Sequence, residues 1–286
     1  WTEGFIERYA DRWNHRRTLY KYSPGPVDIS LRWFWSGLPL NPSLPWTEDF
    51  IERYADRWCW VNLSKNTSLL WSETLLDRYA GQWNWKALST NTSLPWSEGL
   101  IKKYADRWNW GALSGNGSLP WTEALIDQYA DRWDWGSETF WSFGNFSTND
   151  SLPWSEGFIE RHSERWNWSQ LSENDSLPWS EGLIARYAEQ WNWRLLSFNT
   201  SLPWTEALID RFADQWNFDE HGGSLSSNAS LIWTQGLIER YADRWDWDAL
   251  STNGSLRQLI RTIDEKTIGK IMNALCDSDN KTADVD

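Results

Sequence analysis

Apolar and polar positions recur along this chain of 286 residues with a period of 25 residues. One copy of the repeat begins at Trp46 and reads WTEDFIERYADRWCWVNLSKNTSLL. The same frame begins at Trp1, Trp71, Trp96, Trp121, Trp154, Trp179, Trp204 and Trp233. Three copies carry insertions of 20, 8 and 4 residues, near 14–32, 136–143 and 219–222. Self-similarity at a fixed period is the signature of a repeat architecture.

The first half of each repeat has the pattern of a helix of about eleven residues. Thr47 and its serine equivalents precede an acidic residue, as expected for an N-cap and a first turn that complements the helix dipole. Five apolar residues are spaced so that they lie along one helical face: Trp46, Phe50, Ile51, Tyr54 and Trp58. A helix this short is marginal alone in water, so it needs tertiary packing.

The second half of each repeat predicts a shorter helix followed by a turn. An asparagine or aspartate between the paired tryptophans suits an N-cap, as at Asn84, Asn109 and Asp134. A later asparagine suits a left-handed residue that ends this helix, as at Asn66, Asn91 and Asn116. No stretch alternates with a period of two, which disfavours a β-hairpin solenoid.

The fold class that follows is an all-α tandem-repeat solenoid of about nine units, each with one longer and one short helix. The tryptophan-rich face cannot be buried within a single repeat, so neighbouring repeats must stack. The acidic residues Glu48, Glu52 and Asp56 lie on a different flank from Arg53 and Arg57. We expect acidic flanks to meet basic flanks of the next repeat in ladders of modest ion pairs.

The pattern changes after Leu256, where tryptophan disappears. We divide the chain into a solenoid over 1–257, a C-terminal capping helix over 258–276 and a disordered polar tail over 277–286. At the other end the chain begins inside a repeat, which predicts that further residues precede Trp1 and that any targeting signal is not visible.

The charge balance disfavours several classes of partner. A net charge of −13 and a pI near 4.7 argue against nucleic acid and anionic membrane surfaces, which need a cationic footprint. No apolar run approaches the ~20 residues of a membrane span, so we expect no membrane insertion. Cys59 and Cys276 form neither a metal-ligand spacing nor a disulfide framework, and two unpaired thiols favour a cytoplasmic location.

The sequence contains no recognisable catalytic motif. His15, His162 and His221 are neither close together nor at equivalent repeat positions, so we expect no metal site. Phosphate-loop, nucleophile-elbow and dinucleotide motifs do not occur, and the recurring carboxylates are typical of a solvated helix face. We therefore predict that the chain is not an enzyme and binds no cofactor, while a small-molecule ligand stays unspecified.

Two repeated features leave alternatives open. The Asn-x-Ser triplets have the form of glycosylation sequons, but they fall where the repeat needs a turn, so a structural role is favoured. They begin at Asn66, Asn91, Asn116, Asn149, Asn174, Asn199, Asn228 and Asn253. The tryptophans recur too regularly for individual recognition, which favours a core role. A row of exposed platforms for sugars or peptides is the alternative.

The phrase W-x-W-x-x-L-S-x-N resembles the Trp-rich tandem repeats of uncharacterised bacterial and giant-virus open reading frames. The resemblance covers residues 1–257 and implies a repeat fold, but it brings no activity with it. The chain departs from the phrase where His15 and Phe218 replace the second tryptophan and where His162 replaces the helix tyrosine.

Functional information in a repeat protein lies in the positions that vary. Here the residues after the second tryptophan differ between repeats, as in Val61, Lys86 and Gly111, and so does the residue between Ser and Asn, as in Lys65 and Thr90. In modular RNA readers such positions form a code, which the negative charge disfavours here.

The insertions are the strongest candidates for partner contacts. Those of the fifth and eighth repeats enter at the same point of the repeat, so we expect them on one edge of the solenoid. Aromatic and basic side chains in such loops are typical of protein-contact hot spots; the alternative is that they fold back on the solenoid. The candidates are Arg16, Arg17, Tyr20, Tyr22, Phe140, Trp141, Phe143 and His221.

The leading functional hypothesis is a non-catalytic protein-binding or scaffolding solenoid. The main alternative is a structural repeat protein that self-assembles into oligomers or filaments, because its N-terminal repeat face has no visible cap. A further alternative is a carbohydrate-binding module that uses exposed tryptophans.

Overall fold

The computed structural model of the chain describes residues 37–136, 144–218 and 224–256, together with Gly4, Arg8 and Gly269. Within these residues there are fourteen short α-helices, three 3₁₀ turns and no β-strand. The chain divides into two compact units, Trp1–Leu152 and Pro153–Asp286. Each unit is an all-α tandem-repeat solenoid, so the predicted fold class is confirmed. The predicted capping helix over 258–276, apart from Gly269, and the polar tail over 277–286 lie outside the described residues.

The helices of the first unit alternate between the two halves of the repeat. They are α1 (Glu48–Arg53), α2 (Trp60–Leu63), α3 (Glu73–Arg78), α4 (Trp85–Ser89), α5 (Glu98–Lys103), α6 (Trp110–Ser114) and α7 (Glu123–Gln128). Two 3₁₀ turns, Leu38–Leu40 and Phe146–Thr148, occupy positions of the second helix.

The second unit has the same alternation. Its helices are α8 (Glu156–Arg161), α9 (Trp168–Glu173), α10 (Glu181–Arg186), α11 (Trp193–Phe198), α12 (Glu206–Arg211), α13 (Gln235–Arg240) and α14 (Trp247–Thr252). A 3₁₀ turn, Leu225–Ser227, replaces the second helix between α12 and α13.

Side-chain caps begin most of these helices. The Thr47 hydroxyl accepts the Phe50 amide at 3.2 Å at the start of α1. At the start of α4, Asn84 Oδ1 accepts the Ala87 amide at 2.8 Å. These bonds satisfy amides that a helix cannot pair internally, and they confirm the N-caps predicted at Thr47 and Asn84.

The first helices are six residues long, shorter than the sequence pattern predicts. In α1, Tyr54 leaves helical geometry with φ −121° and ψ 24°. The Trp58 indole N–H donates to the Ile51 carbonyl at 2.9 Å, which in a longer α-helix would accept the amide of residue 55. The apolar cluster still forms, because Phe50 lies 5.5 Å from the Tyr54 ring and 5.4 Å from the Trp58 ring.

In the repeat that begins at Trp96, all three tryptophans donate to backbone carbonyls. Trp96, Trp108 and Trp110 bond to the carbonyls five, seven and five residues earlier, at 2.9, 3.1 and 2.9 Å. Very short helices leave many carbonyls unpaired at their C-terminal ends. Each tryptophan therefore satisfies one such carbonyl while it buries a large apolar surface.

Aromatic contacts join each repeat to the next. The Trp60 ring lies 4.9 Å from Tyr79 and 4.8 Å from Trp83 of the following repeat. Phe218, which replaces tryptophan at this position, keeps the contact with Trp245 at 4.8 Å. The tryptophan-rich surface is thus buried between repeats, as the stacking argument predicts.

A buried asparagine forms a second link between repeats. Asn91 Nδ2 donates to the carbonyls of Ser64 and Asn66 of the preceding repeat, both at 3.0 Å. Its Oδ1 accepts the Ser93 amide at 2.9 Å. The bond to a serine carbonyl one repeat earlier recurs at Asn116, Asn149, Asn199, Asn228 and Asn253. We call this series the asparagine ladder.

The prediction of a left-handed backbone conformation is wrong for the equivalent asparagines that end second helices. Asn174, Asn199 and Asn253 have φ of −77°, −63° and −67°, with extended backbones. The side chain makes the turn instead, because its Oδ1 accepts the amide two residues later. A positive φ is therefore not needed.

The 137–143 insertion leaves the repeat framework intact. The Phe146 amide donates to the Asp134 carbonyl at 2.8 Å, and Ser147 Oγ donates to the Trp135 carbonyl at 2.6 Å. In the uninterrupted repeat of α4 the equivalent serine bond, from Ser89 Oγ to the Trp85 carbonyl, is 2.7 Å. The same pair of bonds brackets the insertion of the second unit. A repeat with an insertion therefore lacks its second helix but keeps its bonds in the asparagine ladder.

Cys59 stands where other repeats have a capping asparagine, and α2 begins without a side-chain cap. We expect Cys59→Asn to raise the free energy of unfolding by about 1 kcal/mol, because the new Oδ1 can accept the Asn62 amide. Urea denaturation measures the change. The reverse substitution, Asn109→Cys, should lower the free energy by a similar amount, and no change in either variant would contradict the capping account.

Candidate binding surface

The residues that the sequence singles out for partner contacts lie outside the described residues. These are Arg16, Arg17, Tyr20, Tyr22, Phe140, Trp141, Phe143 and His221. The points at which two of the insertions leave the framework are described, at Gly136 and Gly144 in the first unit and at Phe218 and Ser224 in the second. In both cases the chain leaves directly after the position of the second-helix aromatic residue.

The asparagines of the Asn-x-Ser triplets are buried, with exposed fractions from 0% at Asn228 to 7% at Asn253. Their amide nitrogens are the donors of the asparagine ladder, as for Asn91 and Asn116. A glycan on such a nitrogen would need space that the fold does not have and would remove a donor. The fold therefore supports the structural interpretation of these triplets.

The recurring carboxylates of the first helices pair across repeats. Arg78 lies 3.7 Å from Glu48 and 3.2 Å from Glu52 of the preceding repeat. In the second unit Arg186 lies 3.6 Å from Glu156 and 3.5 Å from Glu160. The predicted ladders of acidic and basic flanks are confirmed. Because these side chains are largely exposed, each pair contributes modestly to stability.

A tyrosine adds to the ion-pair ladder in each unit. The Tyr104 hydroxyl donates to Asp77 of the preceding repeat, and Lys103 Nζ lies 2.7 Å from the same carboxylate. The bonds from Lys103 and Tyr104 hold the pKa of Asp77 below its usual value. Burial, and then the bond to Asp77, raises the pKa of Tyr104 to about 12.

The equivalent arrangement in the second unit joins Tyr241 to Asp210 at 2.7 Å. Burial and this bond raise the pKa of Tyr241 to about 12. The bonds from Tyr241 and Arg240 lower the pKa of Asp210. The repeated Tyr–Asp–cation groups therefore hold neighbouring repeats together.

The described tryptophans offer no row of open platforms. Trp58, Trp108 and Trp191 are only 5% exposed, and all other described tryptophans are buried or half-buried. With their rings packed within and between repeats, they act as core residues. His162, the described histidine, is likewise buried at the tyrosine position, with its ring 5.2 Å from Phe158.

A groove of about 530 Å³ crosses the second helices α2, α4 and α6 of the first unit. Several side chains that vary between repeats line it: Val61, Lys65, Lys86, Thr90 and Gly115. These positions vary along the sequence, but that they share one surface is seen only in the structure. We call the exposed positions of the second helices and the turns that follow them the short-helix face.

Two glycines, Gly115 and Gly117, line one end of this groove. The α6 repeat has Gly111, Gly115 and Gly117 where the α4 repeat has Lys86, Thr90 and Thr92. Gly144, with φ +90°, packs against Gly115, and a Cβ on Gly144 would lie 3.0 Å from the Gly115 Cα. Because Gly144 directly follows the 137–143 insertion, that insertion returns to the framework beside the groove.

The groove has a local charge opposite to that of the whole chain. Lys65 and Lys86 line it, and none of the described residues that line it is acidic. Asp150 occupies the row of Thr92 and Gly117 in the following repeat but does not line the groove. The ladder cations Arg78 and Lys103 pair with carboxylates, whereas neither Lys65 nor Lys86 has an ion-pair partner among the described residues.

Metal-binding and membrane-spanning features were sought in the same residues. No group of three or more His, Cys, Asp or Glu side chains in the described ranges is arranged to hold a metal ion. None of the helices in this part of the chain has the length and apolar character needed to cross a membrane. Comparison of the chain with protein-family models, with curated proteins and with solved structures finds no match.

The raised pKa values of Tyr104 and Tyr241 predict a loss of stability in alkali. Their folded pKa, about 12, lies above the ordinary value of 10.0. The stabilisation is therefore complete below pH 10 and is lost as the pH rises through 12. Between about pH 9 and about pH 12, the free energy of unfolding of the wild-type chain should fall more steeply than that of a Tyr104→Phe/Tyr241→Phe variant. Equal slopes would contradict this assignment.

Proposed function

We propose that the chain is a non-catalytic protein-binding scaffold that recognises its partner through the short-helix face. The observation that carries the proposal is that the shared residues and the variable residues of the repeat have different places in the structure. Residues shared by the repeats are occupied in the tryptophan contacts, the asparagine ladder and the ion-pair ladder. The residues that vary are left on the surface of the second helices, where they line the groove of the first unit.

Apolar exposure on this face supports the proposal. Val61 of α2 is 45% exposed, and Phe198 of α11 is 53% exposed. Both stand at variable positions that other repeats fill with polar residues or glycine, such as Lys86 and Thr90. Large apolar side chains on an otherwise polar face are typical of protein interaction surfaces.

The insertions extend the same hypothesis. The predicted contact residues Phe140, Trp141 and Phe143 belong to the segment that rejoins the framework at Gly144, against the groove residue Gly115. A partner seated in the groove would therefore lie next to the root of this loop. Aromatic anchors beside a preformed groove are a common arrangement in protein interfaces.

The other functional readings receive less support. The repeated carboxylates that a hydrolase would need are occupied in ion pairs such as Arg78–Glu52 and Arg186–Glu160. The half-buried tryptophans disfavour a carbohydrate-binding row. Self-assembly stays an alternative that the following experiment separates from the scaffold function.

The test is co-purification of the tagged full chain from native cells, followed by mass spectrometry. We expect at least one heterologous protein to bind the wild-type chain and to be lost with Val61→Glu/Phe198→Glu. Because both side chains are exposed, the substitutions should change stability by less than about 0.5 kcal/mol. Light scattering of the eluted complex distinguishes a heterologous partner from a second copy of the chain.

The matched control is Leu70→Glu/Ile232→Glu. Leu70 is 75% exposed and Ile232 is 65% exposed, each directly precedes the first tryptophan of its repeat, and neither lines the groove. The control should retain the partner. Loss of the partner from both variants, or from neither, would refute the short-helix face as its binding surface, and recovery of the chain alone as a concentration-dependent oligomer would favour self-assembly.

A further inference from the structure

We infer that the groove across α2, α4 and α6 binds an extended acidic segment of a partner protein, a conclusion that rests on the protein-binding function proposed above. The first support is electrostatic. Lys65 and Lys86 line the groove, and no described residue of its lining is acidic, in a chain whose net charge is −13. Opposite charges on partner surfaces accelerate encounter and fix register.

The second support is that these two lysines take no part in the ion pairs that join the described repeats. Lys103, by contrast, pairs with Asp77 at 2.7 Å and Glu73 at 3.6 Å, which joins two repeats. Lys65 follows the last turn of α2, and Lys86 lies in α4 with its side chain exposed. A carboxylate from outside would therefore meet two cations that no described side chain neutralises.

The dimensions of the groove indicate an extended occupant. The groove spans three successive second helices, and packed helices lie 8–10 Å apart, which gives a length of about 20 Å. An extended peptide advances about 3.3 Å per residue, so about six residues fit. A helix advances only about 1.5 Å per residue and would need about 13 residues to span the same length.

The residues that line the groove indicate which peptide sequence would fit in it. Val61 is 45% exposed at one end of the groove, and Gly115 and Gly117 line the other end. Alternate side chains of an extended peptide point to opposite sides. An acidic side chain toward the lysines, with an aliphatic side chain near Val61, would fill both features.

The experiment selects binders from a phage-displayed library with six randomised positions, using the full chain as bait. We expect the enriched peptides to be rich in Asp and Glu with at least one aliphatic residue. Synthetic copies should bind about tenfold more weakly to Lys65→Glu and to Lys86→Glu, and more weakly as salt increases. Lys102→Glu changes an exposed lysine on α5 outside the groove and should leave Kd within about twofold.

The outcomes separate this inference from the scaffold function. Enrichment of neutral or basic peptides, no enrichment at all, or equal weakening by Lys102→Glu would overturn the acidic specificity. If the native partner is nevertheless lost with Val61→Glu/Phe198→Glu, the scaffold function stands without it. If acidic peptides bind in a lysine-dependent way while that variant keeps the native partner, the short-helix face fails as the partner's site and the groove chemistry stands.

Discussion

Helices of four to six residues leave more backbone carbonyls unpaired than they pair, and the whole structure depends on how those carbonyls are satisfied. Within a repeat, indole N–H groups of the tryptophans bond to some of them, as at Trp96, Trp108 and Trp110. Between repeats the asparagine ladder does so, through bonds such as that from Asn91 to the Ser64 carbonyl. Because the ladder acceptors belong to the preceding repeat, a repeat satisfies its backbone only with a neighbour in place.

This dependence explains where the chain tolerates change. The serine and asparagine of the ladder are buried in most described repeats, as at Ser89 and Asn91, whereas exposed positions of the second helices, such as Lys86, vary between repeats. The fold tolerates insertions at one point of the repeat because the hydrogen bonds between the residues on either side still form, as from the Phe146 amide to the Asp134 carbonyl. Recognition can therefore vary on the short-helix face while the framework stays constant.

Much of this architecture follows from the sequence, because the spacing of Trp46, Phe50, Ile51, Tyr54 and Trp58 shows which surface must be buried. Helix length could not be predicted in the same way, since it depends on an indole that competes for the Ile51 carbonyl. The asparagine ladder could not be predicted either, because an asparagine in a turn has the same sequence pattern whether it adopts positive φ or bonds to the preceding repeat. Gly115 and Gly117 are visible in the sequence, but only the structure shows that they line one groove with Lys65 and Lys86.

The central claim, that buried asparagines hold the repeats together, is tested most directly by the free energy of unfolding of Asn91→Ala beside that of Thr92→Ala. The first substitution leaves the Ser64 carbonyl and the Ser93 amide without their asparagine partners, so we expect a loss of about 3 kcal/mol. Thr92 is exposed, and its truncation should cost less than about 0.5 kcal/mol. Equal, small losses in both variants would contradict the claim.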